Sequence, residues 1–539
     1  MASSGLLKLL HNGLQDERLL GVDPKIEEYQ SVYVKGGRFT TEWYRVDFDN
    51  RPSFGSLARA TLPRRGHLIT RAFFVSTLPD ILTQQNIARD WCLQNNKPFA
   101  GPIFGWTNSV GHACITQAQV TIASSAIDTL DGRLVEVLDE YHTPMEKVSV
   151  VNRLIGRKSN GFTSLQPDSN GKQIAVSLPF WFNRGDPSLA LPIDAIGSDL
   201  VQIGVTINAL QNLYYTDSRN PNGNNNPQIT PPTDSTPSAT SKNFTGDCYT
   251  STETVQPPPL TPQANSGTTG GALWPMFGSR FYYEDPNGTL ILDGKKVSLI
   301  PVGQMPQASE LGIGDTYLLL EYVHLDKPEA NRIRLGDLQY PIVQHYAINP
   351  FDTKGNPSAR IPMRIPNPVR EIYFMCHRQD ADSLNCPFLA TRDLMAVGAK
   401  QGPWWPDASW PVPSYSQTDS EPIQSFSLVY EGKLVRYATD SPALFRSILQ
   451  AMEQRKTPFH WKYYYHLPFG THSEFFGASQ HMGEANFDKL TRVELNLDFK
   501  PVRGSNRTTD IPSYTVYVWA ETYNILRVYG GRAGCLFNY

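Results

Sequence analysis

Four histidines, His460, His466, His472 and His481, fall in one short stretch, FHWKYYYHLPFGTHSEFFGASQH. Neutral imidazole is the commonest metal ligand, so the run invites a metal site. The spacing argues against one: ligand pairs on a helix or strand sit closer together, and no cysteine joins the group. Strand-end and loop histidines at a packed edge are the alternative. Trp404, Trp405, Trp410 and Tyr415 in GPWWPDASWPVPSY could stack on sugar rings, or could form a proline-stiffened loop at a packed interface. Arg184-Gly185-Asp186 is the tripeptide of integrin ligands. It lies inside Asn183, Arg184, Gly185, Asp186 and Pro187, which are also turn residues: Gly for positive φ, Pro for fixed φ, Asn and Asp for side-chain bonds to backbone. The turn is the preferred reading, with Gly185 at positive φ. Asn243, Asn287 and Asn506 each head an Asn-x-Ser/Thr sequon and are candidate glycan acceptors, but no secretory signal is evident to bring them to the usual enzyme. Glu371 and Arg527 interrupt apolar strands. They are either interface ions or strand residues facing solvent, and the sequence leaves both readings open.

Stronger signatures of catalysis are missing. There is no GxxxxGK[ST], HExxH or GxSxG, and no GxGxxG opening a helix. With 51 Asp and Glu, chance carboxylate pairs carry no message. The six cysteines, Cys92, Cys114, Cys248, Cys376, Cys386 and Cys535, are scattered and form no CxxC, which fits buried thiols better than a zinc site or a disulfide scaffold. No enzyme activity, catalytic residue, metal or cofactor is expected. Net charge is −3 with no basic stripe, so direct binding of nucleic acid is not expected either. No apolar run approaches the ~20 residues that span a bilayer.

The elements that must position these residues are short strands. The chain has 539 residues, enough for two domains, and its 42 Pro and 40 Gly suit many strands joined by loops. Residues 176–207 show the pattern well. Val176, Leu178, Phe180 and Phe182 alternate with Ser177, Pro179, Trp181 and Asn183, predicting a strand into the turn. Residues 189–196 and 200–207 predict further strands. Leu6, Leu10 and Leu14 recur at helical spacing in an arm over residues 1–24. Residues 217–271 are mostly Pro, Asn, Thr, Ser and Gly and cannot bury a core of their own.

Several segments resemble one family. The FWF strand, Asn-Arg turn and LALP at 180–192 are similar to a hallmark segment of the major capsid proteins of nucleocytoplasmic large DNA viruses. So are Trp106, Asn108, Gly111, His112 and Ala113, followed by Ile127, Asp128 and Gly132, although Ser124-Ser125 stands where the family carries Gly-Gly. Residues 318–326 (LLLEYVHLD), 360–380, 485–499 and 515–537 resemble later strands of that family in the right order. The resemblance implies an all-β chain of two tandem jelly-roll sandwiches (a double jelly roll), each with about eight strands. It implies an arm at 1–24, a first jelly roll at 25–326 carrying an inserted loop at 217–271, a connector at 327–340 and a second jelly roll at 341–539. It further implies a homotrimeric, pseudo-hexagonal capsomer in an icosahedral virion shell, assembled in the host cytoplasm. The implied partners are neighbouring capsomers, minor capsid proteins beneath the shell and, indirectly, an inner virion membrane. A carbohydrate-binding or carbohydrate-cleaving β-sandwich is the alternative.

Overall fold

The computed structural model describes residues 26–27, 30–31, 37–79, 104–157, 172–185, 187–216, 244–245, 248–249, 282–284, 290–292, 295–296, 313–379, 387–392, 421–453, 462–470, 483–501 and 511–537. The expected arm, the sequons, the tryptophan cluster, Asp186, His460, His472 and His481 lie outside these residues. So does the expected insertion, except for the short pair Phe244–Thr245 and Cys248–Tyr249.

The first sandwich is built from β1 (Phe39–Asp47), β2 (Leu57–Thr61), β3 (Leu68–Thr77), β4 (Ile115–Ile122), β5 (Ser125–Asp131), β6 (Gln173–Ser177), β7 (Val201–Ile207) and β8 (Thr316–Leu325). They form two antiparallel sheets, ordered β1-β8-β3-β6 and β2-β7-β4-β5. Alternation decides which side chains meet between them. Leu318, Leu320 and Tyr322 of β8 point into the core with Ala72 and Phe74 of β3, and Ala118 and Val120 of β4 answer from the other sheet. Helices α1 (Val110–Cys114), α2 (Gly132–His142) and α3 (Val148–Ile155) cover one side.

A short helix, α4 (Lys327–Leu335), then leads out, N-capped by Asp326, whose carboxylate accepts from the Lys327 amide. The next strand starts at Leu338, inside the stretch expected as connector. The second sandwich comprises β9 (Leu338–Ala347), β10 (Ser358–Pro362), β11 (Pro368–Arg378), β12 (Ile423–Tyr430), β13 (Leu434–Thr439), β14 (Tyr464–Pro468), β15 (Val493–Phe499) and β16 (Tyr514–Tyr529), with helix α5 (Pro442–Glu453) between β13 and β14. Its sheets run β9-β16-β11-β14 and β10-β15-β12-β13, the former extended by three short strands. Each strand number is that of its counterpart in the first sandwich raised by eight, so the two halves share one topology. This is the double jelly roll, all-β and doubled within one chain.

Three local expectations need correction. The strand read through Asn183 stops at Ser177. Phe180, Trp181 and Phe182 are all buried, and Trp181–Asn183 is a 3₁₀ turn. The cause is Asn183: its amide donates to the carbonyls of Leu178 (2.7 Å) and Ala72 (3.0 Å) and pulls the chain inward. Residues 189–196 form no strand; Leu191 alone bridges to Ile69. The helices at 132–155 have no counterpart among the expected elements. Gly132 starts α2 at a point where a Cβ would lie 1.8 Å from the Ile115 carbonyl oxygen, so only glycine lets this helix begin against β4.

Candidate functional site

β11 is buried along almost its whole length, on both faces. Ile372, Phe374 and Cys376 belong to the second sandwich's own core, whereas Tyr373 and Met375 join the first sandwich's cluster together with Trp519 and Tyr464. The sheet β9-β16-β11-β14 is therefore a shared wall, and α2 lies across its outer side. Tyr141 of α2 donates to the Tyr464 carbonyl at 2.7 Å and packs its ring on Tyr373 and His466. The Arg133 guanidinium sits 4.5 Å over the Tyr517 ring. Two clusters of ionisable groups are enclosed in this seam.

The first cluster gathers on α2. Glu136, in contact with Arg157, also lies 2.5 Å from His112 Nδ1 and 2.7 Å from Lys462 Nζ. Lys462, from the second sandwich, reaches Glu140 at 2.5 Å as well, and Arg157 binds Asp139 at 2.5 Å. Burial favours the neutral acid, but Arg157 and Lys462 outweigh it and hold Glu136 well below the usual carboxylate range. His112 belongs to the sequence motif at 106–113, whose Trp106 and Asn108 are buried beside it.

The second cluster is a row across the wall. His345 of β9 stands opposite Glu521 of β16, which stands opposite Glu371 of β11. Two buried carboxylates on adjacent strands repel, so cations must separate them. Arg184 arrives from the first sandwich and clasps Glu521 with both terminal nitrogens, at 2.6 and 3.0 Å. Arg370, 3.1 Å away, and His466 attend Glu371, and Tyr373 donates to it at 3.0 Å. Asp128 of β5 takes the backbone amide of His345 at 2.9 Å and its Nδ1 at 3.0 Å. Burial opposes a charge on His345, yet Asp128 and Glu521 prevail and its pKa is pushed up to about 8. Arg184 Nη2 approaches Nε2 of this ring at 2.7 Å, which suits the unprotonated nitrogen; a proton taken up there has to turn towards Glu521 Oε1, 3.5 Å away. Glu521 itself is held well below its usual range: burial raises it, but Arg184 and His345 lower it further.

Among the candidates from sequence, Gly185 sits at φ +89° with open space where a Cβ would be. Arg184 does more than form the turn, since its side chain is engaged in the seam. Glu371 is fully buried and paired, which corrects the solvent-facing alternative; its strand is covered on the face that alternation assigns to water. Arg527 is half exposed and pairs with Asp337 at 2.8 Å. His466 faces Glu371, and among the described residues no three His, Cys, Asp or Glu gather as a metal site. Lys462, Arg157 and Asp139 escaped the sequence reading altogether.

Doubled sandwiches with this strand order define a fold class, and comparison narrows it. A family described as "Major capsid protein N-terminus" matches residues 28–245, and "Large eukaryotic DNA virus major capsid protein" matches 332–534. The chain belongs to the major capsid protein family of large eukaryotic DNA viruses. "Probable capsid protein 4" of Acanthamoeba polyphaga mimivirus is 28% identical over 217 residues, 39% of either chain. "Major capsid protein" of Pyramimonas orientalis virus is 29% identical over 208 residues, 37% of this chain and 46% of that one. The chain thus spans about two-fifths of the length of the curated relatives it matches. The crystal structure of PBCV-1 VP54 superposes with a TM-score of 0.59 at 14% identity, covering 95% of this chain and 100% of that one. The Faustovirus major capsid protein gives 0.56 at 11% identity, covering 97% and 96%. These two speak for the fold. The family is structural rather than enzymatic, which sets aside the carbohydrate alternative.

Proposed function

We propose that this protein is the shell-building subunit of an icosahedral large DNA virus, present in the virion as a homotrimeric capsomer of pseudo-hexagonal outline. The observation that carries this is the duplication: two sandwiches of identical strand order are joined by a buried seam, so three chains supply six similar blocks. Six similar blocks tile a near-hexagonal lattice, and closed cyclic symmetry is the common way for identical chains to satisfy their surfaces. In this reading residues 25–326 and 341–539 are the two building blocks, residues 1–24 an arm acting in assembly and residues 217–271 an outward loop. Minor capsid proteins would dock from beneath, and an inner membrane would be reached only through them; assembly would take place in the host cytoplasm.

The test is particle mass and shape. Light scattering after size exclusion should give about three times the 60.3 kDa chain mass, and electron microscopy should give roughly hexagonal trimers. A stable monomer at micromolar concentration would refute the reading.

A further inference from the structure

The cluster on α2 sets a primary amine against a carboxyl group inside the protein. Lys462 comes from the second sandwich, just ahead of β14, and its side chain is 3% exposed. Its Nζ lies 2.5 Å from Glu140 Oε1 and 2.7 Å from Glu136 Oε1. Glu136 and Glu140 are one helical turn apart on α2 and both fully buried. A contact of 2.5 Å to the oxygen leaves the Glu140 carboxyl carbon no more than about 3.7 Å from the amine. Reacting atoms held in a near-attack arrangement stand about 3–3.5 Å apart.

The surroundings give the two carboxyl groups different tasks. Both oxygens of Glu136 are engaged: Oε1 by Lys462 and by the Ser109 hydroxyl at 3.2 Å, Oε2 by His112 Nδ1 at 2.5 Å and by Arg157. Arg157 and Lys462 outweigh burial there and keep Glu136 ionised, which suits a base. Glu140 Oε1 meets Lys462 and, at 3.1 Å, Arg157 Nη1, whose other close partner is Asp139 at 2.5 Å. An arginine aimed at that oxygen is placed to hold negative charge developing on it.

We infer that Lys462 and Glu140 condense to an isopeptide bond, with Glu136 carrying the proton and Arg157 steadying the oxyanion. The step needs no oxidant, reductant or co-reactant. The ammonium first gives a proton to the Glu140 carboxylate, leaving a neutral amine and a neutral acid. Nζ then bonds to the carboxyl carbon, and the Glu140 oxygen that bears the proton departs. Glu136 takes a proton from the new C–N nitrogen and delivers it to that oxygen, so one water leaves and Glu136 ends as it began. Two buried charges, each costly to keep out of water, become one neutral amide. The fold supplies the orientation that makes the reaction intramolecular. The product is a covalent tie across the seam, between groups 322 residues apart in the chain.

The experiment is mass spectrometry of the full-length folded chain. Its intact mass should fall about 18 Da below the sequence mass, the loss of one water. Trypsin should then yield one branched species, residues 134–147 joined to 457–489, because an acylated Lys462 resists cleavage. Tandem fragmentation should place the branch at Glu140 and Lys462. Lys462→Arg keeps the cation, cannot form the bond and should have its full mass. Glu136→Ala keeps both reacting groups and should be mostly of full mass; complete condensation in it overturns the role of Glu136. Recovery of unbranched 134–147 and 457–462 in full yield from the wild type overturns the bond, as does a water loss that persists in Lys462→Arg. The wild-type digest decides even where a variant fails to fold.

Discussion

Arg184 shows how a residue can be misread when only its neighbours in the chain are visible. Within Arg-Gly-Asp it looks like a turn or an adhesive tripeptide; in the fold it neutralises a buried glutamate 337 residues away. Its removal leaves Glu521 enclosed with Glu371 opposite and without its bidentate partner. Breaking a buried pair from one side costs about 3–5 kcal/mol. Arg184→Ala should lower the unfolding free energy by that order in urea titration, while Arg71→Ala, at a half-exposed pair, should cost under about 1 kcal/mol. Equal small losses would show that Arg184 is a turn residue only. The β4–β5 hairpin offers a test of opposite sign. Its two central residues, Ala123 and Ser124, both lie in the left-handed region, at φ 49° and 69°. Neither is the glycine or asparagine that such a turn prefers. Ser124→Gly should stabilise the chain by roughly 0.5–1 kcal/mol; a fall in melting temperature would count against strain at this turn.

At the scale of elements, the shared wall has a clear liability. Isolated, the second sandwich would expose Tyr373, Met375, Trp519 and Tyr464 beside the charges of Glu371 and Glu521. A chain starting at Asp337 should therefore be insoluble or bind hydrophobic dye strongly, whereas the full chain should not. A soluble, cooperatively folding fragment would mean that the wall tolerates water. The same wall marks the limit of what the sequence discloses. Period-two alternation in residues such as Leu318, Leu320 and Tyr322 announces strands, and the motif at 106–113 and the Ile127-Asp128 pair announce the family. Alternation reports only whether a face is apolar, not what covers it. β11 carries an unbroken apolar run over Ile372–Cys376 because both faces are covered, and the adjoining Glu371 then looks anomalous. The partners of the seam lie far apart in sequence, Lys462 from Glu136 by 326 residues, so no local pattern could join them. Helices at 132–155 were hidden for another reason: their start depends on Gly132 meeting a backbone carbonyl, a tertiary fact.

For the whole molecule, the seam sets a pH window. The raised pKa of His345, about 8 against an ordinary 6.5, means that its contribution is complete below about pH 6.5 and disappears as pH rises through 8. A shift of that size corresponds to about 2 kcal/mol. Glu136 and Glu521 are held low, so their contribution is complete above about pH 4.5 and disappears only as pH falls through their depressed values. Stability should be greatest between about pH 4.5 and 6.5 and decline on the alkaline side first. Thermal melts across this range test it, and His345→Gln should flatten the alkaline limb. An alkaline limb unchanged in that variant would place the titrating group elsewhere.

The pairing of the first and last strands of the first sandwich also bears on how the chain is made. Arg45 of β1 binds Asp315, next to β8, across 270 residues of sequence. At ribosomal speeds of about 5–20 residues per second, β1 leaves the tunnel roughly 15–50 s before its partner exists. During that wait β1 and β3, which flank the missing β8, present unpaired edges to everything nearby. Synthesis of such a chain at high output exposes many unfinished sheets at once. Yield should thus depend on holding chaperones and fall with faster expression, even where the finished protein is stable.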